Sequence, residues 1–184
     1  MKLLLHTCCG PCTIYPVSVL RDYFEVTAHF FNPNIHPFQE YVKRRSTLLD
    51  FCNNADIKVV ETGRYGLYEF LRKAVFHEQE RCSMCYAWRM EETAQTAAKM
   101  GFSCFSTTLL YSRYQNHEKL KEFGCSLSEK YSVRFIYRDF RDGWQYGIDK
   151  SKEIGMYRQS YCGCIYSEQE RYDKSLKYKN ISTL

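Results

Sequence analysis

Seven of the ten cysteines in this 184-residue chain fall into three tight groups. A fold can use them together only if it brings the beginning, middle and end of the chain to one place. The groups are Cys8, Cys9 and Cys12, then Cys82 and Cys85, then Cys162 and Cys164; Cys52, Cys104 and Cys125 are scattered. Disulfide scaffolds are small, loop-rich and usually exported, and the opening Lys2–Cys9 stretch turns polar after three leucines. It therefore reads as neither a signal peptide nor a membrane start. The expectation is a soluble cytoplasmic protein in a reducing compartment, where clustered thiols point to metal or redox chemistry.

The hydrophobic pattern supplies a frame for that convergence. Lys2–His6 reads as a buried strand, and 12–24 as a helix opened by Pro11. Strands are expected at 26–31, 57–60, 102–109 and 133–137, and helices at 38–52, 67–76, 83–99, 112–123 and 144–157. In the helix from Phe38, Tyr41, Leu48, Leu49 and Cys52 share a face, which puts Lys43, Arg44 and Arg45 largely on the opposite one. Gly101 and Gly124 read as helix stops. Strands alternating with helices predict an α/β fold: a three-layer Rossmann-like domain over residues 1–170, with a mostly parallel sheet and a helical insertion. A charged tail follows over 171–184. Hydrophobic residues make up 45% of the chain, enough for one domain of this length to bury a sizeable core.

This placement puts unusual residues repeatedly at the carboxyl ends of strands, where open parallel sheets bind ligands. Cys8 and Cys9 follow the first strand, Asn32 the second, Glu61 the third and Asp139 the fifth, while Thr107 and Thr108 end the fourth. Gly10 admits close backbone approach, and the start of the next helix favours thiolates at Cys8, Cys9 and Cys12. Cys82-Ser83-Met84-Cys85 is a CxxC pair at a helix start, a spacing shared by zinc, cluster and dithiol sites. Cys162-Gly163-Cys164 is a tighter pair. Seven thiols exceed the four of a tetrahedral zinc site, so an iron–sulfur centre is the first reading. Structural zinc and a metal-free thiol relay are the alternatives.

Around the thiols, Asp139 suits a metal's oxygen ligand or a proton donor, and Arg141 suits a phosphate or the orientation of that carboxylate. The bland counterpart is a surface ion pair. Asn32 and Asn34, flanking Pro33, suit a base or ribose, or a plain turn. Tyr111, Tyr114, Tyr157 and Tyr161 interleave with Arg113 and Arg158, a pattern that fits a stacked nucleotide and its backbone. A net charge of +5 is compatible with a phosphate-bearing partner without requiring one.

The ordered blocks resemble the QueH-type epoxyqueuosine reductases. They are Leu5-His6-Thr7-Cys8-Cys9-Gly10-Pro11-Cys12, Phe31-Asn32-Pro33-Asn34-Ile35-His36-Pro37, Arg81-Cys82-Ser83-Met84-Cys85, Thr107-Thr108-Leu109-Leu110, Asp139-Phe140-Arg141, and Tyr157 through Cys164. The resemblance implies removal of the epoxide oxygen of epoxyqueuosine at the tRNA wobble position, giving queuosine. It implies a 4Fe-4S cluster with an adjacent iron, held among Cys8, Cys9, Cys12, Cys82, Cys85, Cys162, Cys164 and Asp139. Asp139, Cys8 and Cys12 become the catalytic candidates, and Asn32, Asn34, Arg141, Tyr111 and Arg158 the substrate-binding candidates. The implied partners are tRNA carrying epoxyqueuosine and an unidentified electron donor, with no membrane and no DNA. Two other classes stay open. One is a zinc-stabilised RNA-binding protein. The other is a PP-loop-like tRNA-modifying enzyme, although the loop after the first strand is Thr-Cys-Cys-Gly-Pro-Cys and not that class's Ser/Gly-rich phosphate loop.

Overall fold

Leu3, Leu4 and Leu5 are each fully buried, so the first strand runs through the middle of the protein with both faces covered. The computed structural model describes residues 1–175 and builds one parallel sheet around that strand. Its strands are β1 (Lys2–His6), β2 (Glu25–Phe30), β3 (Val59–Glu61), β4 (Cys104–Thr107) and β5 (Arg134–Phe135), in the order β3-β2-β1-β4-β5. Register is continuous across the centre: Leu4 lies opposite Thr27 on one side and Phe105 on the other. The helices are α1 (Gly10–Leu20), α2 (Phe38–Asn54), α3 (Leu67–Ala74), α4 (Arg81–Lys99), α5 (His117–Tyr131), α6 (Trp144–Glu153) and α7 (Ile165–Tyr172). Helix α1 packs with α2 and α6, while α4 packs with α5 and α3, making the outer two of three layers. Helix α3 and a 3-10 turn at Glu78–Glu80 form the insertion between β3 and α4. The expected Rossmann-like α/β architecture is therefore present.

The strand order, which the sequence pattern left open, positions the site. The chain runs outward from β1 through β2 to β3, then returns to lay β4 on the other side of β1. The crevice between the ends of β1 and β4 is the topological switch point, where adjacent connections leave on opposite faces. Thr7, Cys8 and Cys9 emerge from one side of it and Thr107 and Thr108 from the other.

Several boundaries differ from the periodicity reading. Helix α1 begins at Gly10, two residues before the expected start, with Cys9 at its N-cap. Strand β4 stops at Thr107 because the Thr107 hydroxyl accepts from the Leu109 amide at 3.1 Å and turns the chain into a 3-10 segment, Thr108–Tyr111. Helix α5 begins later and runs through Gly124 to Tyr131. Asn116 caps its start by accepting from the Lys119 amide at 3.0 Å, and Ser132 closes its end in a left-handed conformation. Gly124 is therefore no stop. A methyl group there would lie 2.2 Å from the Phe135 ring, so the glycine lets α5 lie directly on β5. Gly101, by contrast, adopts φ +70° just past α4, as a helix terminator does. Helix α7 had no counterpart in the pattern and crosses the expected boundary at residue 170; the charged tail beyond residue 175 lies outside the described residues.

Gly124→Ala should destabilise the protein although alanine is the better helix former by roughly 1 kcal/mol. Overpacking against Phe135 should outweigh that gain and leave a net loss of about 1–2 kcal/mol in chemical denaturation. An unchanged or raised midpoint would show that α5 and β5 separate freely.

Candidate metal and substrate site

The loop between β1 and α1 sets three thiols side by side. The sulfurs of Cys8, Cys9 and Cys12 all lie within 4.8 Å of one another, and Cys8 Sγ is 3.6 Å from Cys9 Sγ. Local rules explain the cluster. Cys9 is extended at the N-cap of α1, and Cys12 sits within the first helical turn, so the chain doubles back on itself. The Thr13 hydroxyl donates to the Cys9 carbonyl at 2.7 Å and fixes that turn. Gly10 is required by close approach: a Cβ would sit 2.8 Å from Met156 Sδ and 3.0 Å from Thr47.

Across the crevice, the Cys8 amide donates to Thr108 Oγ1 at 3.3 Å, and that hydroxyl lies 3.7 Å from Cys8 Sγ. From the far end of the chain, Gln159 Nε2 donates to Cys12 Sγ at 3.2 Å. The thiols divide their protons unequally. Hydrogen bonds from Cys12 and then Cys9 hold Cys8 well below an ordinary thiol, with the Arg89 guanidinium adding positive potential. Those same contacts push Cys12 up, and burial above all pushes Cys9 up. The trio thus carries its first negative charge on Cys8.

The other grouped thiols meet at the N-terminal ends of α4 and α7. Cys85 and Cys164 are buried with Phe70 and Ala74, while Cys82 and Cys162 are exposed. Cys85 feels the charges of Cys162 and Cys164, and burial pushes it up to about 12. Among the described residues, only Cys8, Cys9 and Cys12 form a close set of three or more metal-donor side chains. This corrects the cofactor expectation. A 4Fe-4S cluster takes four thiolates, whereas the structure gathers three at single-ion spacing. The arrangement suits a mononuclear thiophilic ion such as zinc, with a coordination position left open, and not an iron–sulfur cluster with an adjacent iron. The iron–sulfur description of the enzyme falls with it.

Two buried arginines, unmarked by the sequence pattern, tie the thiol segments together. Arg89 on α4 is 2% exposed. It donates to His6 Nε2 at 3.3 Å, to Cys85 Sγ at 3.7 Å and to Asn32 Oδ1 at 2.8 Å. Both ring nitrogens of His6 are engaged, Nδ1 with Thr107 Oγ1 at 2.9 Å and Nε2 also with the Phe31 carbonyl at 3.3 Å. Burial and then Arg89 hold His6 well below an ordinary histidine, so it stays neutral. Arg44 on α2, assigned by periodicity to the face away from the core, is 1% exposed. It pairs with Glu40 at 2.7 Å and donates to the carbonyls of Cys162 at 2.8 Å and Tyr161 at 3.0 Å. The one sequence signal for its burial was Glu40, four residues earlier.

The polar candidates divide. Asn32 is fully engaged, donating to the Thr7 carbonyl at 2.8 Å and accepting from Arg89. Asn34 is 2% exposed, and its Oδ1 has no partner, an arrangement that costs about 1–3 kcal/mol unless a ligand donates to it. Tyr111 is buried and donates to the Trp144 carbonyl at 2.9 Å. Arg158 is exposed. Asp139 is not brought to the thiol trio. Arg141 grips it through both guanidinium and amide, and His117 Nδ1 lies 4.0 Å away. Arg141 holds Asp139 down to about 2, so it is an anion at neutral pH. A separate cavity of about 450 Å³ beyond β3, lined by Phe38, Tyr41, Arg45, Glu61 and Tyr65 among others, contains no thiol.

This fold and these motifs have relatives. A family profile described as epoxyqueuosine reductase QueH matches residues 3–170. The chain belongs to the QueH family. It is 38% identical over 185 residues to the epoxyqueuosine reductase QueH of Thermotoga maritima, covering 94% of this chain and 93% of that one. It is 34% identical over 174 residues to the Dehalococcoides mccartyi protein of the same name, covering 94% and 96%. A solved structure described as a predicted subunit of a tRNA methyltransferase from Methanocaldococcus jannaschii overlays with a TM-score of 0.53 at 11% identity. It covers 82% of this QueH-family chain and 76% of that chain, a likeness of fold alone.

Titration with zinc, or with cobalt(II) as a spectroscopic stand-in, should saturate at one ion per chain and develop thiolate-to-metal absorption. Cys9→Ser should weaken that binding at least ~10-fold, as loss of a direct ligand does, while Cys125→Ser on the exposed side should not. Because the ion must displace protons from the raised Cys9 and Cys12 thiols, affinity should climb with pH. Equal binding by Cys9→Ser would remove the trio as the ion's site.

Proposed function

We propose that this chain reduces the epoxide of epoxyqueuosine at the tRNA wobble position to the alkene of queuosine. The observation that carries the reading is the QueH match over residues 3–170, together with the three-thiol site that its first motif forms at the β1/β4 switch point. The reaction takes two electrons from an external reductant and two protons, breaks both epoxide C–O bonds and releases the oxygen as water.

Cys8, Cys9 and Cys12 would hold the ion. When bound, it supplies Lewis acidity for the departing oxygen. The chain's residues prepare the rest. Thr108 and Gln159 hydrogen-bond the Cys8 and Cys12 sulfurs and help hold them in position. The buried Asn34 oxygen, which has no partner, would accept from a substrate hydroxyl or amine. Neutral, buried His6 adds no further cation to the two guanidinium groups, Arg89 and Arg44, that already act on the thiols. Asp139, a carboxylate held by Arg141 away from the thiols, would relay protons through water to the departing oxygen once the substrate's phosphate draws Arg141 off.

Zinc-loaded protein incubated anaerobically with epoxyqueuosine-containing tRNA and a chemical reductant should yield queuosine, read as loss of one oxygen in nucleoside mass spectrometry. Asp139→Asn should lower turnover by roughly 10²-fold or more while tRNA affinity stays within a few-fold. Absence of conversion by fully loaded protein would overturn the reductase reading. RNA binding without conversion would favour a zinc-stabilised RNA-binding protein, to which the single-ion thiol site is equally suited. Wild-type turnover by Asp139→Asn would remove that residue's assigned role.

A further inference from the structure

An aromatic shelf stands beside the thiol site and takes no part in ion binding. Trp144, the first residue of α6, is half-buried. Tyr111 lies stacked on it with ring centres 5.3 Å apart and planes 26° apart. The Tyr111 hydroxyl is fixed on the Trp144 carbonyl, and Gly147 leaves room for it: a Cβ there would lie 2.2 Å from that oxygen. This backing is therefore rigid. The other neighbours of the indole are loose. The Arg113 guanidinium lies 5.4 Å from the ring centre, and Tyr114 meets the indole edge-on at 6.0 Å while remaining 84% exposed. Arg113 is also exposed and has no carboxylate partner among the described residues.

The shelf adjoins the reacting centre. Tyr111 follows Thr108, which touches Cys8, by three residues in the same 3-10 segment. It feels the charges of Cys12 and Cys9 as well as those of Arg158 and Arg113. An indole backed by a fixed ring, with an exposed and unpaired guanidinium lying over it, is chemically suited to a flat aromatic group linked to a phosphate. Such an uncovered cation is poorly suited to an apolar protein partner, which would have to bury it unpaired.

We propose that Trp144, Arg113 and Tyr114 form a stacking subsite for an unpaired nucleobase of the RNA substrate, adjacent to the nucleotide held over the thiols. This rests on the reductase reading for the identity of that neighbouring nucleotide. The base takes the place of the Arg113 side chain against the indole, Tyr114 closes against its edge, and the displaced guanidinium moves to the phosphate. Stacking is indifferent to base identity, so this subsite holds the loop in position while selection falls to the centre over the thiols.

The chain contains two tryptophans, Trp88 and Trp144. The Trp88→Phe variant therefore makes tryptophan emission, excited selectively over the sixteen tyrosines, a report from Trp144. Titration with a synthetic anticodon stem–loop RNA should quench that emission, whereas the same stem closed without unpaired nucleotides should quench it far less. In the wild-type background Trp144→Ala should weaken loop binding by roughly 10- to 100-fold, the range seen on removing a stacking partner. Trp144→Phe should retain most of the affinity, which a purely structural loss would not allow to be rescued by ring identity. Should Trp144→Ala fail to fold, Tyr114→Ala and Arg113→Ala test the same surface from exposed positions. Arg113→Ala should also lower the dependence of log affinity on log salt by about one unit.

Saturating RNA binding with unchanged Trp144 emission, or wild-type affinity in Trp144→Ala, would overturn the subsite. Failure of the stem–loop to bind wild-type protein at all would overturn it too. Turnover of epoxyqueuosine-tRNA with no change in emission would sink the shelf while leaving the reductase reading intact. Quenching and ring-dependent affinity without turnover would support the shelf and count against the reductase.

Discussion

The Arg89 guanidinium is a buried cation that no carboxylate neutralises among the described residues, and the surrounding structure is arranged to satisfy it. Its donors reach His6 at the end of β1, Asn32 beyond β2 and Cys85 in its own helix. Leaving such a charge unpaired in the interior would cost several kcal/mol, so the three segments cannot drift apart cheaply. Removing the guanidinium would in turn strand Asn32 Oδ1, at about 1–3 kcal/mol for a buried group left unmet. The positive charge also matters locally: it favours thiolate over thiol at Cys8 and opposes the burial that raises Cys85. One side chain thereby couples the geometry of the sheet edge to the ionisation of two thiol groups.

Arg44 performs the matching task for the end of the chain. The Tyr161–Cys164 segment has little regular structure of its own and is lashed to α2 by the Arg44 bonds to two of its carbonyls. The Tyr161 hydroxyl donates to the His36 carbonyl at 2.5 Å, and the His36 amide donates to Gly163 O at 2.8 Å. Gly163, at φ +149°, lies against Asn34, Ile35 and Arg44, where a side chain would crowd all three. These contacts set Cys162 and Cys164 opposite α4, and the connecting stretch carries Gln159 to Cys12. Two buried guanidinium groups, one from each helical layer, thus close the chain's end over its beginning. The aromatic shelf on α6 stands at the rim of the same enclosure because α6 packs directly on α1.

The family and the α/β class were legible in the residues because both depend on local order. Apolar runs of strand length alternated with helical spacing, and the ordered motifs spanned most of the chain. Local order also misled. Arg44 fell opposite an apolar stripe and was read as solvent-facing, yet the returning chain covers it. Gly124 looked like a helix stop because glycine often ends helices, whereas its absent side chain here serves contact with Phe135. Trp144 was read only as the start of a helix; nothing nearby announced that Tyr111 would stack behind it. The count of thiols suggested a cluster, but count carries no distances, and ligation depends on distances.

By itself, the sequence determined that β1 would be buried, that a thiol-rich turn would follow it into a helix, and which family's motifs the chain carries. These are consequences of hydrophobic periodicity, backbone propensity and residue identity, all of which act over a few neighbouring positions. The tertiary structure alone decided the strand order that opens the crevice between β1 and β4. It also decided which thiols stand close enough to share one ion, which arginines are buried, and which side chains gather around Trp144. Those outcomes depend on pairing and desolvation between segments as many as 147 residues apart, as at Gln159 and Cys12, and they exist only once the layers have closed.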